Sequence, residues 1–335
     1  MAKTSFATSD ALTKKLWEEQ LFRDTIKASY FSKFMGSTSD NPVTVNEKLA
    51  KDQGDTVAFG IRFRLTNAGV ADGEALEGQE TKLNTSSFAL SLVERANAVR
   101  DRGPLDRQRA MFSIDEEAQI GIQDWMTEYI DAQCFNALAT GSRNLYWVNS
   151  YAADTSVTAS DTLTLKELSK LKAGAITGWA RKQTPIRPVM VDGVKCFIFL
   201  THPDALFDLY ESAQFQQAMR EAEIRGKDNP LFLGAKAFYN GIIIHEHENV
   251  PIYTNWGSGS TIAGVKSMLI GQQALCWAWG KRPRIVPVEF DYEREHGFGM
   301  SIIYAVGKPY FTYNGTARDY GYAELHSART KISDA

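Results

Sequence analysis

Hydrophobic and polar positions change period several times along the 335 residues. Val57, Phe59, Ile61, Phe63 and Leu65 alternate with Thr56, Ala58, Gly60, Arg62 and Arg64. A period of two predicts a strand with one apolar face. A second β-like run spans Leu83 to Val93, and the polar, glycine-rich stretch Thr66 to Thr81 joins the two. Together they predict a long two-stranded ribbon. A lone ribbon is marginal in water, its edges invite pairing, and its connection is long for a compact domain. Such an arm needs a surface to lie on, either its own domain or a neighbouring molecule.

Helical spacing follows. Ser113 and Glu116 form a capping-box pair, and Ile122, Trp125, Met126, Tyr129 and Ala132 recur behind them to about Leu138. The polar, turn-rich stretch Gly141 to Asp161 marks the change to a second domain. Thr164 and Glu167 make another capping box, with Leu165, Leu168, Leu171, Ala175 and Trp179 on one face. Val189–Val191 and Val194–Leu200 flank Asp192-Gly193, which predicts a two-residue hairpin turn. Pro203 suits the first turn of a helix whose Leu206, Phe207, Leu209 and Tyr210 face inward. That pattern fails after Glu223, and Asn229-Pro230 is a break. Short strands are predicted at Ile242–His247, Ile252–Thr254 and Met268–Ile270, a short helix at Gln272–Trp279, and three β-like runs between Ile285 and Tyr313. At the N-terminus, residues 1–9 read as disordered, and Leu12, Leu16, Leu21, Phe22 and Ile26 as a short helix or arm that ends at Phe31, Phe34 and Met35. The fold class is α+β, without the alternation of a doubly wound sheet.

Composition narrows the function classes. Forty acidic against 37 basic residues leave a net charge of −3, without the basic excess of a protein that grips nucleic acid tightly. Cys134, Cys196 and Cys276 are widely separated and show no metal or redox spacing; they read as small buried hydrophobes in a reducing compartment. No apolar run approaches the length of a membrane span, and Met1 to Asp10 lacks a signal core.

Candidate chemistry is sparse. His245 and His247, two apart on a strand, can share a face and chelate a metal beside Glu246 or Glu248, but a third ligand is missing, and they read as a surface or interface pair. There is no nucleophile elbow, no dinucleotide fingerprint and no phosphate-cradling loop. Hence no catalytic, cofactor-binding or metal residue is assigned. Arg100, Arg102, Arg107 and Arg109 could contact DNA phosphates, diluted by Asp101 and Asp106; Lys281, Arg282 and Arg284 form a second basic cluster.

The order of motifs points to a family. Cys196–Leu200, Thr201-His202-Pro203, Asn229-Pro230-Leu231-Phe232, Tyr239-Asn240-Gly241 and His245-Glu246-His247 follow one another. Gly54–Phe59, Leu76–Glu80, Asp124-Trp125, Gly271–Ala274 and Asp291-Tyr292 flank them. This collinear pattern, over roughly residues 10 to 315, resembles the major capsid proteins of N4-like tailed phages, built on the Hong Kong 97 capsid fold. The resemblance implies an N-terminal arm (1–50), an extended hairpin loop (51–95), a peripheral domain with a long spine helix (96–160), an axial domain (161–284), and the second part of the peripheral domain with a C-terminal tail (285–335). It implies pentamers and hexamers forming an icosahedral head around double-stranded DNA, in the virion, assembled in the host bacterial cytoplasm. Portal, scaffolding and decoration proteins are the implied partners, and DNA contact is weak and non-specific. Arg62, Arg64, Glu74, Glu77, Glu80 and Lys82 on the extended loop, and Leu16, Phe22, Phe31 and Phe34 on the arm, are then expected at subunit contacts. A cellular cargo shell of the same fold, or a soluble α+β enzyme, are the alternatives.

Overall fold

The structure, a computed structural model, describes residues 29–47, 55–63, 65, 69–72, 75–80, 82–110, 112–181, 185–191, 193–221, 235–313 and 315–332. Leu16, Phe22, Arg64 and Glu74 lie outside the described residues.

In chain order, a 3-10 turn Phe31–Phe34 precedes β1 (Met35–Gly36), β2 (Val43–Asn46), β3 (Thr56–Arg62), β4 (Thr85–Ser91) and β5 (Val93–Arg100). Helices α1 (Pro104–Arg109) and α2 (Ile114–Ala139) follow, then β6 (Leu145–Trp147) and α3 (Leu165–Arg181). Next come β7 (Val189–Val191), β8 (Val194–Thr201), α4 (Pro203–Glu211), α5 (Ala213–Glu221), β9 (Ala235–Tyr239), β10 (Ile242–Glu246) and β11 (Ile252–Trp256). The chain closes with β12 (Ile262–Ile270), β13 (Leu275–Phe290), β14 (Glu295–Gly307), β15 (Tyr310–Tyr313), β16 (Thr316–Asp319) and β17 (Tyr322–Ala328).

The described residues fall into two compact units. The first holds 96–128 and 284–300: α1, the start of α2, and the facing parts of β5, β13 and β14. Ser113 caps α2, its hydroxyl accepting from the Glu116 amide at 3.4 Å. Asp115, Glu116 and Glu117 occupy the first turn, where the helix dipole favours negative charge.

The second unit holds 29–95, 129–283 and 301–332. Its main sheet runs β6-β17-β12-β8-β10-β9, with β11 beside β12 and β7 beside β8. Cys196–Leu200 and Ile242–Ile244 are buried and pair in parallel from Ile242↔Phe197 to Ile244↔Phe199. Continuous apolar runs are what a sheet covered on both faces requires. The Val189–Val191/Val194–Cys196 hairpin forms as expected, with Gly193 at φ 79°. α3 buries Leu168, Leu171 and Ala175.

Several expectations need correction. Gln272–Trp279 is not a helix. Gln272 and Gln273 donate their amides to Arg187 O and Asn41 O, both at 2.9 Å, and β13 starts at Leu275, paired in parallel with Val43. A Cβ on Gly271 would lie 2.5 Å from Arg187 O, and one on Gly321 2.2 Å from Gln272 O. The Gly271–Ala274 motif is therefore a close backbone junction, which only glycine permits. The helix after Pro203 breaks at Ser212 into α4 and α5, and Phe207 is 44% exposed rather than inward. Separately, the C-terminal strand β17 pairs with β12 from Gly264↔Ala328 to Ile270↔Tyr322 and so belongs to the main sheet.

Candidate assembly surfaces

The ribbon is built from β3 and β4, antiparallel from Thr56↔Ser91 to Arg62↔Thr85. Its base is docked at home. Val57, Phe63, Phe88 and Leu90 are buried with Cys276, Ala278, Ala305 and Phe311. Gly307 lets that base sit close: a Cβ there would meet Leu90 Cδ2 at 2.5 Å. Farther out, the described residues of the arm are mostly exposed. Leu65 is 52% exposed, Leu76 64% and Leu83 52%; Arg62, Glu77, Glu80 and Lys82 are exposed and make no ion pair among the described residues. The base thus lies on its own unit, and the described residues of the tip point apolar and charged groups outward.

Phe31 and Phe34, expected on an arm reaching a neighbour, are instead 1% and 2% exposed within the second unit. Asp131 of α2 anchors them, accepting from the Tyr30 amide at 2.6 Å, the Phe31 amide at 3.2 Å and Ser29 Oγ at 3.0 Å. Phe31 packs edge-on against Phe135 at 4.9 Å. The same segment explains the histidine pair. Tyr30 lies 5.9 Å from the His245 ring and 4.8 Å from that of His247, and His245 is fully buried. It is a core histidine, not a surface one. Burial, partly offset by Asp131, pulls the Lys33 ammonium down to about 8 as it sits 4.0 Å over Tyr30.

The arginine cluster lies in the first unit. Arg100 pairs with Glu295 at 2.6 Å and stacks 4.1 Å over Phe290. Arg107 Nε meets Asp101 at 2.8 Å and its guanidinium donates to Arg294 O at 2.6 Å; Arg109 approaches Asp106 at 3.9 Å. Arg102 is exposed and has no ion pair among the described residues. The field such a cluster offers a phosphate is therefore small. Ligand atoms of Asp101, Asp115 and His296 come within 4.8 Å of one another, but Arg107 Nη1 lies 3.0 and 2.9 Å from the two His296 ring nitrogens and supplies the positive charge there.

One constellation has no sequence signature. On β17, His326 is 1% exposed; its Nδ1 meets Asp154 Oδ1 at 2.5 Å and its Nε2 meets Glu324 Oε2 at 3.1 Å. Trp256 stacks on the ring at 5.3 Å. Burial alone would lower the imidazole, yet the hydrogen bonds to Asp154 and Glu324 outweigh it and hold it above its ordinary 6.5. Glu324 also accepts from Tyr322 Oη at 3.0 Å and from Ser142 Oγ. Despite burial, the bonds from His326 and Ser142 keep its carboxyl below the usual range. Lys308 Nζ donates to Ser142 Oγ at 2.6 Å and to Leu138 O at 2.8 Å; burial lowers it more than Asp319 and Glu324 restore. Asp319 accepts from the Arg143 amide at 2.7 Å. The Ser142 hydroxyl is spent between Lys308 and Glu324, with no imidazole beside it. This network closes β17 onto the end of α2 and the following loop, and it has the geometry of a structural clamp.

Comparison with solved structures identifies the class. The capsid of Ralstonia phage GP4 superposes with a TM-score of 0.82 at 21% identity, over 98% of this chain and 99% of that one. The cyanophage Pam1 capsid asymmetric unit gives the same TM-score, identity and coverages. The fold is that of Hong Kong 97-type capsid proteins. The family model described as phage capsid protein matches residues 5–144 and 128–329, and the chain belongs to that family. A curated relative, the major capsid protein of Pseudomonas phage KPP25, is 24% identical over 372 aligned positions, covering 97% of each chain. The chain is a major capsid protein, a component of a phage virion whose copies assemble into a shell.

Proposed function

We propose that the subunits form pentamers and hexamers that tile an icosahedral head around double-stranded DNA. The ribbon, within 51–95, acts as the extended loop laid on a neighbouring subunit. The second unit's main sheet, now including Tyr322–Ala328, is the axial domain, and α2 is the spine of the peripheral domain. The observation that carries this reading is the split character of the ribbon: a base buried in its own core and a tip with exposed Leu76 and with Glu77 and Glu80 exposed and without an ion pair among the described residues. A tip of that kind contributes nothing to its own core and gains stability only on a partner. Each contact is modest, but every subunit meets several neighbours, and closed symmetry multiplies them.

The chain acts by assembly rather than by catalysis. Assembly takes place in the host cytoplasm, with portal and scaffolding proteins as partners and decoration proteins as further ones. The genome meets the wall through weak, non-specific contacts from many copies, in keeping with the net charge of −3 and the paired arginines of the first unit. Negative-stain microscopy of the expressed chain tests the reading. Closed shells of uniform size are expected; discrete small oligomers with no particles would overturn it.

A further inference from the structure

A groove of about 380 Å³ opens beside α3, with Ile176, Pro185 and Pro188 among its apolar walls and Lys172, Arg187 and Lys195 at its rim. No carboxylate lines it among the described residues. Ile176 is 49% exposed, and Arg187 and Lys195 are exposed without a side-chain ion pair among the described residues. Lys172 is held upright by Asn240, whose Oδ1 accepts at 3.1 Å. An apolar slot rimmed by three cations, with no carboxylate facing them among the described residues, specifies its ligand: a short apolar side chain flanked by acids.

One segment of this chain has that composition. Between Leu65 and Thr81 the sequence carries Asp72, Glu74, Glu77 and Glu80 and no lysine or arginine. In their midst Leu76 stands 64% exposed, and residues 75–80 are exposed throughout. We infer that the ribbon tip of a second copy docks in this groove, with Leu76 against Ile176 and the prolines and with Glu77 and Glu80 facing Arg187 and Lys195. The inference rests on the reading of the ribbon as an arm between subunits and adds where that arm lands. The charges set its register and exclude wrong partners more than they add affinity.

Cysteine pairing in assembled shells tests it. Leu76→Cys and Ile176→Cys are combined in one chain; the native Cys134, Cys196 and Cys276 are buried and do not compete. Mild oxidation of the shells is expected to give a ladder of linked chains on a non-reducing gel, absent from the Ile176→Cys chain alone. Shells that yield monomer bands only would overturn the proposed seat. Should the double variant fail to assemble, charge exchange decides. Glu77→Lys with Glu80→Lys is expected to lower shell yield roughly tenfold, and adding Arg187→Glu with Lys195→Glu to restore it. An unchanged yield in the first, or no restoration in the second, counts against the groove. A wild-type chain that forms no shells at all would instead sink the capsid-arm reading, so the two failures are distinguishable.

Discussion

The ribbon tip and the strand β17 carry similar polar chemistry to opposite ends. The tip, residues 75–80, keeps its acids exposed and without ion pairs among the described residues. β17 takes Glu324, His326 and Ser327 to 1% exposure or less and pairs its glutamate and histidine with each other, with Asp154 and with Ser142. A buried charge is tolerated only when partnered, so β17 is committed to holding one subunit together. Exposed charges cost the fold nothing and remain available to a neighbour. Under the proposed reading, stability rests with one region and assembly with the other.

The largest effect should come from opening the β17 network. Glu324→Ala leaves the His326 Nε2, Ser142 Oγ and Tyr322 Oη donors without their carboxylate. Breaking a buried pair this way costs about 3–5 kcal/mol, and chemical denaturation of the subunit should show it. A loss below about 1 kcal/mol, the range of exposed pairs, would erase the contrast with the tip.

A smaller effect follows from pH. His326 is held above its ordinary 6.5, so its contribution is fully present below that value and is lost as pH rises through the raised one. Asp154 and Glu324 are held below 3.8 and 4.5, so their contributions are present above those values and are lost as pH falls through the depressed ones. The subunit should therefore be most stable between the two windows. His326→Gln should flatten the alkaline side of the denaturation midpoint against pH; an unaltered slope there would show that the ring does not carry the charge.

These two regions also show what was legible in the sequence. The strict alternation Val57 to Leu65 announced β3 because one face of the ribbon base is buried and the other is not. The apolar run Cys196–Leu200, the Asp192-Gly193 turn and the capped helices were legible for equally local reasons. β17 was not, because nothing local marks Glu324 and His326 as buried; the groups that satisfy them, Asp154 and Ser142, lie more than 170 positions away. Gln272–Trp279 misled because Ala274, Leu275 and Ala278 fit a helix, whereas the parallel ladder to Val43 decides for a strand. Phe31 and Phe34 followed an N-terminal apolar segment that looked unpartnered; Asp131 and Phe135, a hundred residues on, are their partners.

A smaller effect still is expected on the exposed face of the ribbon. Arg62→Glu should change subunit stability by no more than about 0.5 kcal/mol, as exposed substitutions do, while reducing shell yield at low salt. Full yield at low ionic strength would remove the polar face of the ribbon from the contacts.

Sedimentation velocity on a chain lacking Asn67 to Glu80, run beside its denaturation curve, tests the division of labour most directly. A folded subunit is expected, with a wild-type denaturation midpoint, that sediments as a small species and forms no stable shells. A variant that unfolds, or one that still builds normal shells, would contradict it.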